Sequence, residues 1–154
     1  MTGNGAARLR QLFDPGAPTA VVLIRTAVGL VFLSEGIQKF LFSDALGSGR
    51  FSKIGIPASE IMAPFVGVVE IVCGALVAVG LATRLVVIPL IVNMAVAITS
   101  TKVPILIQQG FWKMAHEART DFAMILGATF LFIVGGGPWS VDARIVHGWR
   151  RRER

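Results

Sequence analysis

The sequence predicts an all-α polytopic membrane protein, a bundle of four transmembrane helices, and three observations favour that fold class. Hydrophobic residues make up 54% of the 154 positions and charged residues only 16%, against roughly 25% charged residues in soluble domains. The mean hydropathy is +0.70. The apolar residues gather into four long runs, with basic residues near both ends of the chain. A lipid bilayer is therefore the expected solvent for this chain.

The predicted spans are residues 19–42, 61–81, 85–100 and 120–137. A spanning helix needs about 20 predominantly apolar residues. The fourth apolar run is short, so its span is extended to Thr120 and through three glycines to the residue before Pro138, which ends it. Because all four spans are needed to bury a common interior, residues 1–154 are predicted to form a single domain.

Three connections join these spans. Residues 43–60 contain glycines and Pro57 and are predicted to form a loop. Residues 82–84 alone separate the second and third spans, which forces a tight antiparallel hairpin. Residues 101–119 include Phe111 and Trp112 and are predicted to lie along the membrane interface.

The basic residues predict the orientation. An even number of spans places both termini on one side, where Arg8, Arg10, Arg84, Arg144 and the terminal arginines collect. Cytoplasmic segments carry the excess of basic residues, so both termini are predicted to be cytoplasmic. The first apolar run is about twice as long as a signal-peptide core, so it is expected to be retained. The net charge of +6 is thus attributed to membrane flanks rather than to nucleic-acid binding.

The sequence offers few ligands for a cofactor. The single cysteine, Cys73, excludes an intrachain disulfide, a paired-cysteine redox motif and a cysteine zinc cluster. Both histidines, His116 and His147, fall outside the predicted spans, so a bis-histidine haem inside the membrane has no ligands. No metal site is predicted, and a redox cofactor is expected to come from a partner.

Polar side chains inside the spans are the candidate functional residues, because an intramembrane charge costs about 2.5 to more than 10 kcal/mol unless it is paired, solvated or neutral. The candidates are Arg25, Glu35, Lys39, Glu70 and Asn93, with Asp121 at the start of the fourth span. Glu70 lies about 14 Å from either end of its span, too deep for a short side chain to reach the headgroups. We expect Arg25 to reach inward and pair with it.

Lys39 lies near the outer end of its helix, and we expect its long stem to carry the ammonium to the headgroups. Glu35 precedes it by four residues, which favours a local ion pair. Ser34 and Gln38 beside this pair leave two interpretations open, a structural pair and the edge of a polar pocket.

Asn93 either completes a polar centre by donating a hydrogen bond to Glu70 or only joins two helices. Asp121 is expected to lie at the positive end of the fourth helix and to pair with Arg119. Two stripes with small residues are expected to pack helices together. They are Arg25, Gly29, Phe32, Gly36 and Lys39 on the first helix and Gly67, Glu70 and Gly74 on the second.

Three stretches in order along the chain resemble the DoxX family of small four-helix membrane proteins. They are RTAVGLVFLSEGIQKF, VEIVCGALVAVGLATR and GGGPWSVDAR, and the likeness covers about residues 25–142. The matching positions are Arg25, Gly36, Lys39, Glu70, Gly74, Gly80, Thr83, Arg84, Gly135, Gly137, Ser140 and Asp142. The resemblance implies a bacterial inner-membrane protein and an accessory subunit of a membrane oxidoreductase, including quinone-linked thiosulfate oxidation. It supplies no catalytic residues, which stay unknown.

Three hypotheses follow from these observations. The first is a non-catalytic subunit of an oxidoreductase complex, whose chemistry is either quinone-linked or based on thiols and sulfur. Its expected partner is a redox protein, and a quinone is expected to bind through that partner or at a shared site. The second is a small transporter or proton-linked carrier, suggested by the intramembrane charges. The third is a membrane scaffold or assembly factor. A homo-oligomer fits each hypothesis, and nucleic acid fits none.

Overall fold

A computed structural model describes residues 18–152, and that part of the chain is helical with no strand. Its eight helices are α1 Val21–Leu41, α2 Ser43–Leu46, α3 Ser48–Lys53, α4 Ser59–Val79, α5 Thr83–Gln109, α6 Phe111–Glu117, α7 Arg119–Val134 and α8 Val141–Arg152. The all-α membrane bundle is confirmed. Arg8, Arg10 and Arg154, which enter the orientation argument, lie outside the described residues.

The four long helices close a ring in which α1 packs mainly on α4 and α5 mainly on α7, with contacts between α4 and α5 and between α1 and α7. The core lies inside this ring and includes Phe32, Val77, Leu90 and Leu131, all nearly inaccessible. Many large apolar side chains point outward instead, as a bundle in lipid requires. Examples are Leu23, Ile61 and Ile133.

Three helices, α1, α4 and α5, are long and apolar enough to cross a membrane. Helix α7 has 16 residues and is about 24 Å long, shorter than a hydrocarbon core of about 30 Å. The crossing of the membrane by α7 therefore stays a prediction. The assignment of the chain to a single domain stays a prediction as well.

Two predicted segments differ from the structure. The third span does not end at Ser100, because α5 continues through the polar residues 99–102 to Gln109; a helix satisfies its backbone hydrogen bonds internally whatever its side chains. Residues 43–60 are not simply a loop, since α2 and α3 lie there. Gly47 permits close packing in this segment, because a Cβ on it would lie 2.5 Å from the Lys39 carbonyl oxygen.

The small-residue stripes of α1 and α4, which were expected to pack helices together, face each other. A Cβ on Gly29 would lie 2.6 Å from the backbone nitrogen of Ala78, and one on Gly74 would lie 2.6 Å from that of Leu33. Only glycine at these positions lets the two backbones approach this closely.

The predicted hairpin between α4 and α5 is present. Gly80 and Ala82 both have positive φ, 75° and 49°, and the Gly80 amide donates to carbonyls of the last turn of α4. We name the end of the bundle formed by residues 80–83 and 135–142 the hairpin end. The opposite end, formed by α2, α3 and α6, is named the loop end.

Candidate functional site

Glu70 lies at the centre of the bundle and is only 4% exposed. Lys39 Nζ of α1 lies 2.5 Å from Glu70 Oε2, and Asn93 Nδ2 of α5 donates to Glu70 Oε1 at 2.6 Å. Of the two interpretations left open for Asn93, the hydrogen bond to Glu70 is the one observed. We name Lys39, Glu70 and Asn93 the polar centre. It joins α1, α4 and α5 through one carboxylate. One oxygen of this carboxylate accepts from the Lys39 ammonium and the other accepts from the Asn93 amide.

The predicted ion pair between Arg25 and Glu70 is wrong. Arg25 is buried at the hairpin end, where its guanidinium donates to the carbonyls of Ala78 at 3.3 Å, Gly136 at 2.6 Å and Trp139 at 3.0 Å. Its planar set of donors suits backbone carbonyls that converge from two chain segments. The Gly136 and Trp139 carbonyls belong to the connection between α7 and α8, whose course could not be predicted from the spacing of residues.

Lys39 was expected to extend toward the headgroups, and this is wrong, because its ammonium turns inward to Glu70. The local pair with Glu35 is also absent, since Glu35 forms no ion pair within 4.0 Å in residues 18–152. Gln38 instead donates to Ser34 at 3.0 Å. In this position the Lys39 ammonium and the buried Glu70 carboxylate each compensate the charge of the other.

A cavity of about 700 Å³ extends from the polar centre to the loop end. Its volume lies within the roughly 300 to 1,000 Å³ typical of small-molecule sites. Its ionisable lining residues are Glu35, Lys39, Arg50, Glu70, Lys102 and Asp121. The formal charges of these three cations and three carboxylates cancel. Its apolar lining includes Val31, Phe32, Phe51, Met62, Val66, Met94 and Met124.

Asp121 lines this cavity and pairs with Lys102 at 3.2 Å. Its predicted pairing with Arg119 is wrong, because Arg119 donates to the His116 carbonyl at 2.6 Å. Asp121 does lie in the first turn of α7, where the helix dipole favours a carboxylate, and it forms no side-chain capping bond there. The extension of α5 past Ser100 is what brings Lys102 within reach.

The hairpin end holds a second buried polar cluster, Arg25, Thr83, Ser140 and Asp142, which we name the hairpin cluster. Asp142 accepts from the backbone nitrogens of Ala82 at 2.6 Å and Thr83 at 3.0 Å, and from Thr83 Oγ1 at 3.1 Å. It therefore caps the start of α5 from another helix.

No contact was predicted for Thr83, Ser140 or Asp142, although all three lie in stretches that resemble a known family, and Arg25 was predicted to pair with Glu70 instead. The signal in the sequence was that Arg25, within an apolar span, occurs together with the Thr83–Arg84 pair. Ser140 and Asp142, which follow three glycines, complete this set. None of the hairpin cluster lines the cavity.

Other reactive side chains lie apart from the cavity. Cys73 is half-buried and unpaired. Glu117 accepts from Lys113 at 3.1 Å, and this hydrogen bond holds the pKa of the Glu117 carboxyl below its usual value. Residues 18–152 hold no group of three or more histidine, cysteine, aspartate or glutamate residues arranged to bind a metal ion.

Comparison with known proteins shows the family to which the sequence belongs. The family model DoxX matches residues 20–103, more than half of the chain. An uncharacterized membrane protein of Mycobacterium tuberculosis (strain ATCC 25618 / H37Rv) is 50% identical over 151 residues, which cover 94% of this chain and 93% of that protein. No solved structure matches the chain. The chain therefore belongs to the DoxX family of membrane proteins.

Proposed function

We propose that this protein is a membrane subunit of an oxidoreductase complex in the bacterial inner membrane, with both termini cytoplasmic, and that its cavity binds a quinone. The observation that carries the proposal is the position of the polar centre at the inner end of a 700 Å³ cavity with otherwise largely apolar walls. Such a combination of apolar walls and a few convergent polar groups is typical of small-molecule sites.

The donors of the polar centre suit a carbonyl oxygen. An ammonium has three N–H groups and an amide two, and Lys39 and Asn93 each direct one of them to Glu70. The donors that remain can serve an acceptor on a ligand. Because Lys39 and Glu70 already neutralise each other, a neutral head group enters without adding an unpaired charge.

The walls of the cavity suit a planar ring with an apolar tail. Three methionines, Met62, Met94 and Met124, line it with Phe32 and Phe51. Thioether sulfurs contact aromatic rings favourably, and flexible methionines adapt to ligand shape. A bound quinone would supply the electron-accepting chemistry. Lys39 and Asn93 would orient its oxygen, and the Glu70 carboxylate would lie beside it as a proton acceptor.

A carrier is supported less well by this geometry. The cavity reaches the polar centre from the loop end, whereas the hairpin end is closed by buried hydrogen bonds of Arg25 and Asp142. A transport path would have to break these bonds. A scaffold role would leave the cavity without an occupant.

The proposal is tested on the full-length protein extracted in mild detergent from its native membrane. Native mass spectrometry should detect a redox protein partner and a bound quinone. Membranes from a deletion strain should lose quinone-linked electron transfer, and Asn93→Leu should restore it less well than the wild type. Glu117→Gln, which alters an exposed carboxylate at the loop end, is the matched control and should restore it fully.

Two outcomes would contradict the proposal. Absence of partner, quinone and redox phenotype together would favour the scaffold. Substrate flux in liposomes that is lost with Glu70→Gln would favour the carrier.

A further inference from the structure

The terminal helix α8 is fixed to the hairpin end by its first turns. Asp142 caps α5, its amide donates to the Gly80 carbonyl at 3.0 Å, and Ser140 Oγ accepts from the Ala143 amide at 3.1 Å. Ala143 and Val146 are 0% and 3% exposed. One face of α8 is thus buried against the bundle. The helix cannot leave the hairpin end without breaking these contacts.

The other faces of α8 differ in chemistry. Val141 and Ile145 lie four residues apart and so share an apolar face, and the sequence continues this interval to Trp149. Arg144 and His147 lie on an exposed face beside it. The helix then continues through three consecutive arginines, Arg150, Arg151 and Arg152. Because a helix has about 3.6 residues per turn, three consecutive arginines follow one another around the end of α8 and do not share one face. An apolar face combined with a basic helix end is found in helices that lie in the plane of a membrane interface.

The position of α8 also favours a membrane surface. Helices α4 and α5 both have the length and apolar composition of membrane spans and reverse direction at residues 80–83, so the hairpin end lies where the bilayer meets water. Trp139, just before α8, is 71% exposed, and tryptophan favours that depth. The only acidic residue of α8 is Asp142, which is buried and bonded to the start of α5. The positive charges of the arginines in α8 therefore have no counter-charge within the helix.

We propose that α8 is a binding surface for the phosphate groups of anionic phospholipids in the leaflet at the hairpin end. The apolar face enters the acyl boundary, and the arginines contact headgroup phosphates, for which the planar guanidinium is suited. The partner is a lipid surface rather than nucleic acid because the apolar face has to be buried at the same time as the arginines are neutralised. This proposal is independent of the cavity and of its occupant.

The test uses the full chain in neutral detergent, with phosphatidylglycerol and phosphatidylcholine added as competing probes. Native mass spectrometry counts the lipids retained. The wild type should retain phosphatidylglycerol preferentially, and the preference should weaken as salt increases. Each arginine near an anionic surface should strengthen binding roughly fivefold. The variant Arg144→Gln with Arg150→Gln, Arg151→Gln and Arg152→Gln should lose the preference.

The matched control is Arg119→Gln, which removes an exposed arginine at the other end of the bundle and should keep the preference. Circular dichroism and thermal unfolding in neutral detergent should show that both variants remain folded. Equal retention of the two lipids by the wild type would overturn the proposal, as would an equal loss in the Arg119→Gln control. Loss of phosphatidylglycerol retention on addition of inorganic phosphate alone would assign the site to free phosphate. Displacement of the bound lipid by RNA would assign the site to nucleic acid.

Discussion

At the residue scale, the most consequential feature is that Glu70 depends on donors from two other helices. Lys39 and Glu70 are both shielded, with side chains 11% and 5% exposed. Removing one partner of such a pair leaves the other as an uncompensated buried charge, which costs more than the pair itself contributes.

We therefore predict a strongly non-additive double-mutant cycle for Lys39→Leu and Glu70→Leu. Each single change should lower the free energy of unfolding by about 3 to 5 kcal/mol, and the double change by clearly less than the sum. Thermal unfolding in detergent measures all four proteins. The parallel cycle of Arg25→Leu with Glu70→Leu is the control and should be additive, since Arg25 donates elsewhere. Additive effects for Lys39 and Glu70 would show that their contact contributes no coupling.

Asp142 gives a second prediction at this scale. Asp142→Ala removes the acceptor of two amides at the start of α5, and leaving buried donors without partners should cost about 2 to 4 kcal/mol. Asp142→Asn keeps one acceptor oxygen and should lose less. Thermal unfolding again provides the measurement. Equal stability of Asp142→Ala and the wild type would contradict the capping role.

At the element scale, the contact between α1 and α4 depends on backbones that touch through glycine. Gly74→Ala places a Cβ 2.6 Å from the Leu33 nitrogen and 2.8 Å from the Gly29 carbonyl oxygen, and neither backbone atom can move without shifting a helix. We predict a loss of about 1 to 3 kcal/mol in the free energy of unfolding, as for other overpacked cores.

The matched control is Gly148→Ala in α8, where an added Cβ has nothing within 4 Å. It should be neutral or stabilising by up to about 1 kcal/mol, because alanine restricts the unfolded chain. Both are measured by thermal unfolding. A Gly74→Ala protein as stable as the Gly148→Ala protein would show that the helices tolerate separation at this point.

Also at the element scale, hydropathy and small-residue spacing were sufficient to predict α1, α4, the hairpin and the glycine contact. They could not predict the partner of Glu70, because Arg25 and Lys39 lie at similar distances from the middle of α1, on opposite sides of it. Which of the two side chains turns toward Glu70 depends on tertiary packing. The hairpin cluster was out of reach for a related reason. Apart from the bond between Thr83 Oγ1 and Asp142, the bonds of Arg25 and Asp142 run to backbone atoms, so side-chain identities give only a weak signal for them. The extension of α5 was missed because its polar residues 99–102 interrupt the apolar run.

At the scale of the whole molecule, the contacts of α7 with α5 bear on whether α7 crosses the bilayer. The helix is only about 24 Å long, yet it contacts α5 near both ends of its apolar stretch. Asp121 pairs with Lys102 at the loop end, and the Val134 carbonyl accepts from Arg84 at the hairpin end. The glycines that follow α7 extend the chain toward the level of α8. These contacts favour a complete crossing.

The topology decides this directly, because three crossings separate Arg50 from Arg151 if α7 spans the membrane and only two if it does not. In a Cys73→Ala background, which removes the single native cysteine, we predict that Arg50→Cys reacts with a membrane-impermeant maleimide in intact cells. Arg151→Cys should react only after the membrane is permeabilised, if the termini are cytoplasmic as we propose. Lys53→Cys, in the same segment as Arg50 and also exposed, should behave like Arg50→Cys and so control for local accessibility. Labelling of residues 50, 53 and 151 from one side would show that α7 does not cross and would reduce the bundle to three spans.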